Sequence, residues 1–373
     1  MLKWVGVVAG SAALVGLVLA PACAAGGNDV TSSTSSSGTG GDAGAGGAGG
    51  QGGATGGTGG SAGGSGGGSS GGDCLPSDGV LLAWDSLFLG DTDFTHTPSA
   101  TAWEQFGFDV DGITTVNDFS NHCQPLAGAS PSMAFPDGDD GIDNSFGRNA
   151  MPIFLGLISN ISDQANLALQ NGEFTLMFLL EGLDSADADP LTTKQWGGAS
   201  FDGLPAWDGT DCWSVLYEDL TDPNDIDTPK VQFPNSKVTA DFWESVDTAT
   251  VVVPITFAGT TMPMIIRHAR ASMQLAPSHQ GAALGLIGGV VETEELVESV
   301  RDVMGAIDPS LCSGATFDSV ADQLRQASDI MLDGTQDPNQ TCNAISIGLG
   351  YTMLPVGLEG VAPEATTPTD PCP

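Results

Sequence analysis

Residues 26–73 are Gly, Ser, Ala and Thr almost throughout, as in GGDAGAGGAGGQGGATGGTGG. Such a stretch has no apolar face to bury, so it cannot repay the entropy of ordering. Any fold is therefore confined to residues 74–373. Glycine recurs without the proline-bearing Gly-X-Y period of collagen, which removes the triple-helix reading. As a flexible coil the tract spans about 40 Å root-mean-square, enough to hold a domain away from a membrane surface. Residues 23–73 are accordingly expected to be a disordered tether.

The tract is preceded by Lys3, an apolar run over residues 4–19, and Ala20-Pro21-Ala22-Cys23. A basic start, a short apolar core and small residues at the end describe a secretory signal over residues 1–22. The run is short for the roughly 20 residues of a transmembrane helix. Cys23 stands where a bacterial lipoprotein carries its acylated cysteine; ordinary cleavage that leaves Cys23 unmodified is the alternative. Seven cysteines are an odd number for an exported chain. Setting Cys23 aside leaves Cys74, Cys123, Cys212, Cys312, Cys342 and Cys372, enough for three disulfides in an oxidising compartment. No CxxC spacing occurs, which argues against a zinc or thioredoxin-like site. A helix between turns suggests Cys312 with Cys342, and joining the two ends of the domain suggests Cys74 with Cys372.

Acids outnumber bases 46 to nine, giving a formal charge of −37. Only Asp29, Asp42, Asp73 and Lys3 precede Cys74, so the 74–373 domain carries −35. Nucleic acid and anionic lipid are thereby excluded as partners, because both require basic patches. Membrane association is expected through the lipid anchor alone, and a glycan or a surface protein is the expected ligand.

Within the domain, residues 80–89 (VLLAWDSLFL) read as a strand, 145–157 and 162–169 as helix, and 173–180 as a buried strand. Residues 184–228 read as loop-rich, with a short strand at 213–217. Strands follow at 238–246, 250–257, 263–275 and 280–291, the third interrupted by Arg267. The glycines of the fourth imply close packing on it. Residues 292–307 and 318–331 have helical spacing, with Glu292, Glu294 and Glu295 at a favourable end. A strand over 342–356 closes the series. Strands mostly follow strands, so the expected fold is mainly β with some α: an antiparallel, jelly-roll-like β-sandwich with helical insertions.

The chemistry concentrates between Phe106 and Asn149. Asp109-x-Asp111-Gly112, with Asp118 further on, partly matches an EF-hand loop, although Gly107 falls where the first aspartate belongs. Asp137-Gly138-Asp139-Asp140-Gly141-Ile142-Asp143 resembles one aspartate-rich repeat of thrombospondin type 3. Oxygen-rich loops suit a hard cation, so Asp109, Asp111, Asp118, Asp137, Asp139, Asp140 and Asp143 are candidate calcium ligands. A solvated network of acidic turns is the alternative. A further acidic turn over 329–343 is accounted for by Asx turns without metal.

Catalytic motifs are missing from residues 74–373, which have no Gly-x-Ser-x-Gly elbow, His-Glu-x-x-His or phosphate loop. No catalytic residue is assigned. Trp196, Trp207 and Trp213 stand among aspartates and suggest either sugar-stacking plates or a cover over the end of the core. Carboxylate pairs leave a carbohydrate-active enzyme as the rival to a binding or structural role.

GFDVDG, DGDDGIDNSFGRN and LDGTQDPNQTCNAISIG, with the signal, Cys23 and the tether, resemble surface lipoproteins abundant in myxobacteria. The resemblance covers most of the chain and is most specific over residues 140–149 and 329–348. It implies outer-membrane or cell-surface placement and brings no activity.

Overall fold

The computed structural model describes residues 69–70, 74–257, 259–366 and 370–372. The expected signal peptide, Cys23 and all of the expected tether but Ser69–Ser70 lie outside the described residues. The strands are β1 (Ser69–Ser70), β2 (Gly79–Phe88), β3 (Thr175–Glu181), β4 (Ala188–Gly198), β5 (Asp211–Val215) and β6 (Val231–Thr239). They continue as β7 (Phe242–Glu244), β8 (Ala249–Phe257), β9 (Thr260–Leu275), β10 (Ala282–Glu292), β11 (Ala344–Pro355) and β12 (Gly357–Val361). Helices α1 (Pro131–Ala134), α2 (Met151–Leu157), α3 (Ile161–Gln170), α4 (Thr293–Ile307) and α5 (Ala315–Gln326) interrupt this series.

The domain is mostly β and almost wholly antiparallel, as expected. One feature is not visible in the sequence. The path β2-β3-β4-β6-β7-β9-β10-β11 returns to β2, each strand antiparallel to the next, so these eight strands form a closed ring. Closure leaves no free edge along that path. Its interior is filled with side chains: Tyr351 stacks on Trp84 at 4.9 Å and faces Phe178 at 6.2 Å. Gly285 permits this, since a Cβ there would lie 2.2 Å from the Tyr351 ring. The close packing expected on the glycines of this strand is thereby explained.

β5 and β12 pair in parallel and lie outside the ring. They cover a second cluster that includes Leu81, Ala83, Met177, Trp196 and Trp213. Leu82 and Trp84, the alternate residues of β2, point into the main core. Both faces of β2 are thus buried, which is why VLLAWDSLFL lacks polar alternation.

Arg267 no longer interrupts anything. Its guanidinium reaches out of β9 to both carboxylate oxygens of Glu295 on α4, at 2.7 Å each. Glu294 holds Arg325 of α5 in the same two-pronged way at 2.8 Å. Glu292 caps α4 by accepting from the Glu295 N–H.

The six cysteines form three disulfides, in a different pairing from the one expected. Cys74 bonds Cys212, Cys123 bonds Cys342, and Cys312 bonds Cys372. Cys312 and Cys342 do not close a helical hairpin, because residues 340–342 run beside Gln124 instead. Gln124 N–H donates to Gln340 O at 2.7 Å, and Cys342 N–H donates to Gln124 O at 3.0 Å. Cys372 is brought to Cys312 by Arg301, which donates to the carbonyls of both. Three disulfides fit an oxidising compartment outside the cytosol. No helix among the described residues is long and apolar enough to cross a membrane.

Candidate metal centre

Residues 106–145 contain no strand of the sheet, so their position depends on specific polar contacts. Asn144 supplies the main one. Its amide donates to Trp103 O, Phe106 O and Gly348 O at 3.0–3.2 Å and accepts from Gly147 and Gly348 N–H. The stretch lies directly on β11, where a Cβ at Gly348 would stand 2.0 Å from Phe106 O.

The two aspartate–glycine loops meet through a bridge between Phe108 and Asp143. One carboxylate oxygen from each of Asp109, Asp111 and Asp143 lies within 4.8 Å of the others. Oxygens on opposite sides of one calcium ion stand about 4.6–5.2 Å apart, from metal–oxygen distances of about 2.3–2.6 Å. The three can therefore hold one metal ion. Asp143 is buried, and its Oδ2 accepts from the N–H groups of Val110 at 2.7 Å and Asp111 at 3.2 Å. Asp109 accepts from Gly112 N–H, and Asp111 accepts from Ile113 N–H and Gln336 Nε2.

Burial, followed by the charges of Asp111, Asp329 and Asp137, pushes the Asp143 carboxyl up to about 9. Burial likewise raises Asp137 to about 7 and moves Asp111 upward. Among the described residues no ion pair reaches Asp109, Asp111 or Asp143. Buried carboxylates without a base need a proton or a bound cation.

The other expected ligands fall outside this group of three. Asp118 is exposed, and hydrogen bonds from the Ser120 hydroxyl and N–H hold its carboxyl below the usual range. Thr115 bonds His122 Nε2 at 2.8 Å, and the third member of the acidic group is Asp143 from the second loop where the EF-hand spacing pointed to Asp118. Asp139 and Asp140 are exposed, and Asp140 sits at a left-handed φ of 54° in a tight turn. Asp137 is half-buried and accepts from Thr115 N–H, tying one loop to the other.

Asp329 and Gln336 belong to the same neighbourhood, and the Asx-turn reading of residues 329–343 missed them. Asp333 and Asp337 do make such turns, with Thr335 and Asn339. Asp329 is buried, accepts from Ser346 N–H and Oγ, and is raised to about 7 by burial. A usable signal was present: Ile330, Met331 and Leu332 follow Asp329, and an aspartate beside an apolar run is poorly placed for a solvated turn. Gln336 bridges Asp111 Oδ2 and Asp329 O, and accepts from Cys123 N–H.

The tryptophans suggested for sugar stacking are covered. Trp196 and Trp213 are fully buried, and half-buried Trp207 lies 5.7 Å from Trp213. They roof the second core cluster, so neither Trp196 nor Trp213 presents a face to a sugar. Protein-family models, curated proteins and solved structures give no match to this chain.

Proposed function

We propose that the chain is an exported surface protein, anchored through lipid on Cys23, with a binding or structural role that depends on calcium at Asp109, Asp111 and Asp143. The observation that carries this reading is Asp143: a buried carboxylate in a group of three, with no ion pair to a base among the described residues. Calcium fits that donor set because it accepts irregular oxygen shells, completed by backbone carbonyls and water. The three disulfides and the acidic surface agree with life outside the cytosol.

Calcium at a hundredfold excess over its dissociation constant adds about 2.7 kcal/mol to the folded state. The melting temperature then rises by several degrees over that of chelator-treated protein. Asp143→Asn keeps the shape and an acceptor for Val110 N–H, and is expected to lose most of that rise. Equal melting of calcium-loaded and chelator-treated wild type defeats the calcium reading. For the anchor, Cys23→Ser is expected to move the protein from the membrane fraction to the medium with its melting unchanged. Unmodified Cys23 in the intact mass of the native protein contradicts it.

A further inference from the structure

One face of the domain combines an uncharged run with open clefts. Residues 149–162 (NAMPIFLGLISNIS), which include α2, carry no charge in a domain of net −35. Clefts of about 240, 360 and 90 Å³ open beside α2. The first is walled by Met133, Ile153 and the amides of Asn149, Gln323 and Gln326. The smallest is apolar throughout and runs between α2 and α4. Leu157 is 39% exposed, Ile307 54% and Met133 62%, so the apolar side chains are presented to solvent.

Acids border this face. Asp163 follows the uncharged run, Asp308 follows Ile307, and Asp322 stands one helical turn before Gln326, all exposed. Asp91 lines the largest cleft. The bases beside it are already engaged: Arg148 donates to Pro136 O at 2.8 Å and lies over the Trp103 ring, and Arg325 of α5 is held by Glu294 and by Asp322 itself. An apolar floor within an acidic border selects a partner that is apolar at its centre and basic at its edges. The same charge opposes a second copy of the domain and an anionic membrane.

We propose that the face formed by α2, the C-terminal end of α4 and α5 docks a basic amphipathic helix of another polypeptide. The clefts accept its apolar side chains, and the bordering aspartates set its orientation and speed its arrival.

The test uses the full domain and a synthetic leucine–lysine peptide of about 18 residues, roughly five helical turns, with apolar residues on one face. A matched peptide carries glutamate in place of lysine. The lysine peptide is expected to bind, to shift the amide signals of residues 149–162, and to weaken severalfold when salt screens the border. Leu157→Ser combined with Ile307→Ser, both at exposed positions, weakens it about tenfold while leaving the melting temperature unchanged; a tenfold loss corresponds to about 1.4 kcal/mol. Equal binding of the glutamate peptide overturns the proposal. So does unaltered binding by the double variant. Self-association through Leu157 and Ile307, or binding to phosphatidylcholine vesicles with no peptide binding, also overturns it by assigning the face to another occupant.

Discussion

Removing the Cys123–Cys342 disulfide, as Cys123→Ala with Cys342→Ala, is expected to lower the stability of the domain by about 5 kcal/mol, from the chain entropy released by so long a loop. The bridge joins residues 219 apart in sequence. Separation alone hardly singles it out, because closure entropy grows only slowly with length and the bridges at 138 and 60 residues follow closely. What distinguishes it is its location. Cys123 and Cys342 are both buried, so their removal also leaves a void. The bridge also fixes the strand-free acidic stretch beside residues 336–342, where Gln336 accepts from Cys123 N–H and donates to Asp111. Denaturant unfolding should show the loss, accompanied by weaker calcium binding. The Cys74–Cys212 variant is expected to lose comparable stability with calcium affinity intact. A Cys123–Cys342 variant within about 1 kcal/mol of wild type contradicts the assigned pairing.

The second large effect concerns pH. Asp143, Asp137 and Asp329 are raised to about 9, 7 and 7, above the ordinary aspartate value. A carboxyl whose folded value exceeds its unfolded value binds its proton more tightly when folded. The stability it contributes is complete below the unfolded value near 4 and disappears as pH rises through the folded value. The calcium-free domain should therefore be more stable at pH 5 than at pH 9, by about 3 kcal/mol or more, since one pKa unit equals 1.36 kcal/mol. On the proposed calcium reading, added calcium is expected to reverse this, because a bound cation favours the ionised form and its contribution grows with pH. Asp143→Asn cannot titrate and should flatten the calcium-free profile between pH 7 and 9. Chemical denaturation at a series of pH values, with and without chelator, gives both slopes. A calcium-free domain whose stability rises steadily from pH 5 to pH 9 refutes the burial of these carboxylates.

The long regular elements were legible because their patterns have local causes. Residues 250–257, 263–275 and 280–291 match β8, β9 and β10, and 292–307 matches α4. β4 was hidden in a region read as loop. Its inward positions include Thr193 and Gln195, both buried. Thr193 bonds Ser236 Oγ and accepts from the Trp243 indole N–H, so a polar residue occupies a core position and erases the apolar alternation. Ring closure was equally hidden, because it joins β4 to β6, and strand partners across such a distance leave no local signal. The acidic centre was half legible. Carboxylates on glycine turns gave seven candidates, Asp109, Asp111 and Asp143 among them, without saying which three come together. The choice is made by the bridge between Phe108 and Asp143, a contact between two loops that neither loop encodes alone. Disulfide pairing failed for the same reason: Cys342 follows the hydrogen bonds to Gln124, and these join segments far apart in sequence.

The most direct test of the account is calorimetric titration of the chelator-treated domain with calcium at pH 7.5, in two buffers of different ionisation enthalpy. Burial pushes the Asp143 carboxyl up to about 9, so a proton is expected on it at that pH when no cation is bound, and a bound cation requires its ionised form. The account predicts one calcium ion per domain, with release of about one proton that Asp143→Asn abolishes. Absence of binding heat in both buffers, or binding whose heat is the same in both, contradicts a calcium site built on Asp143.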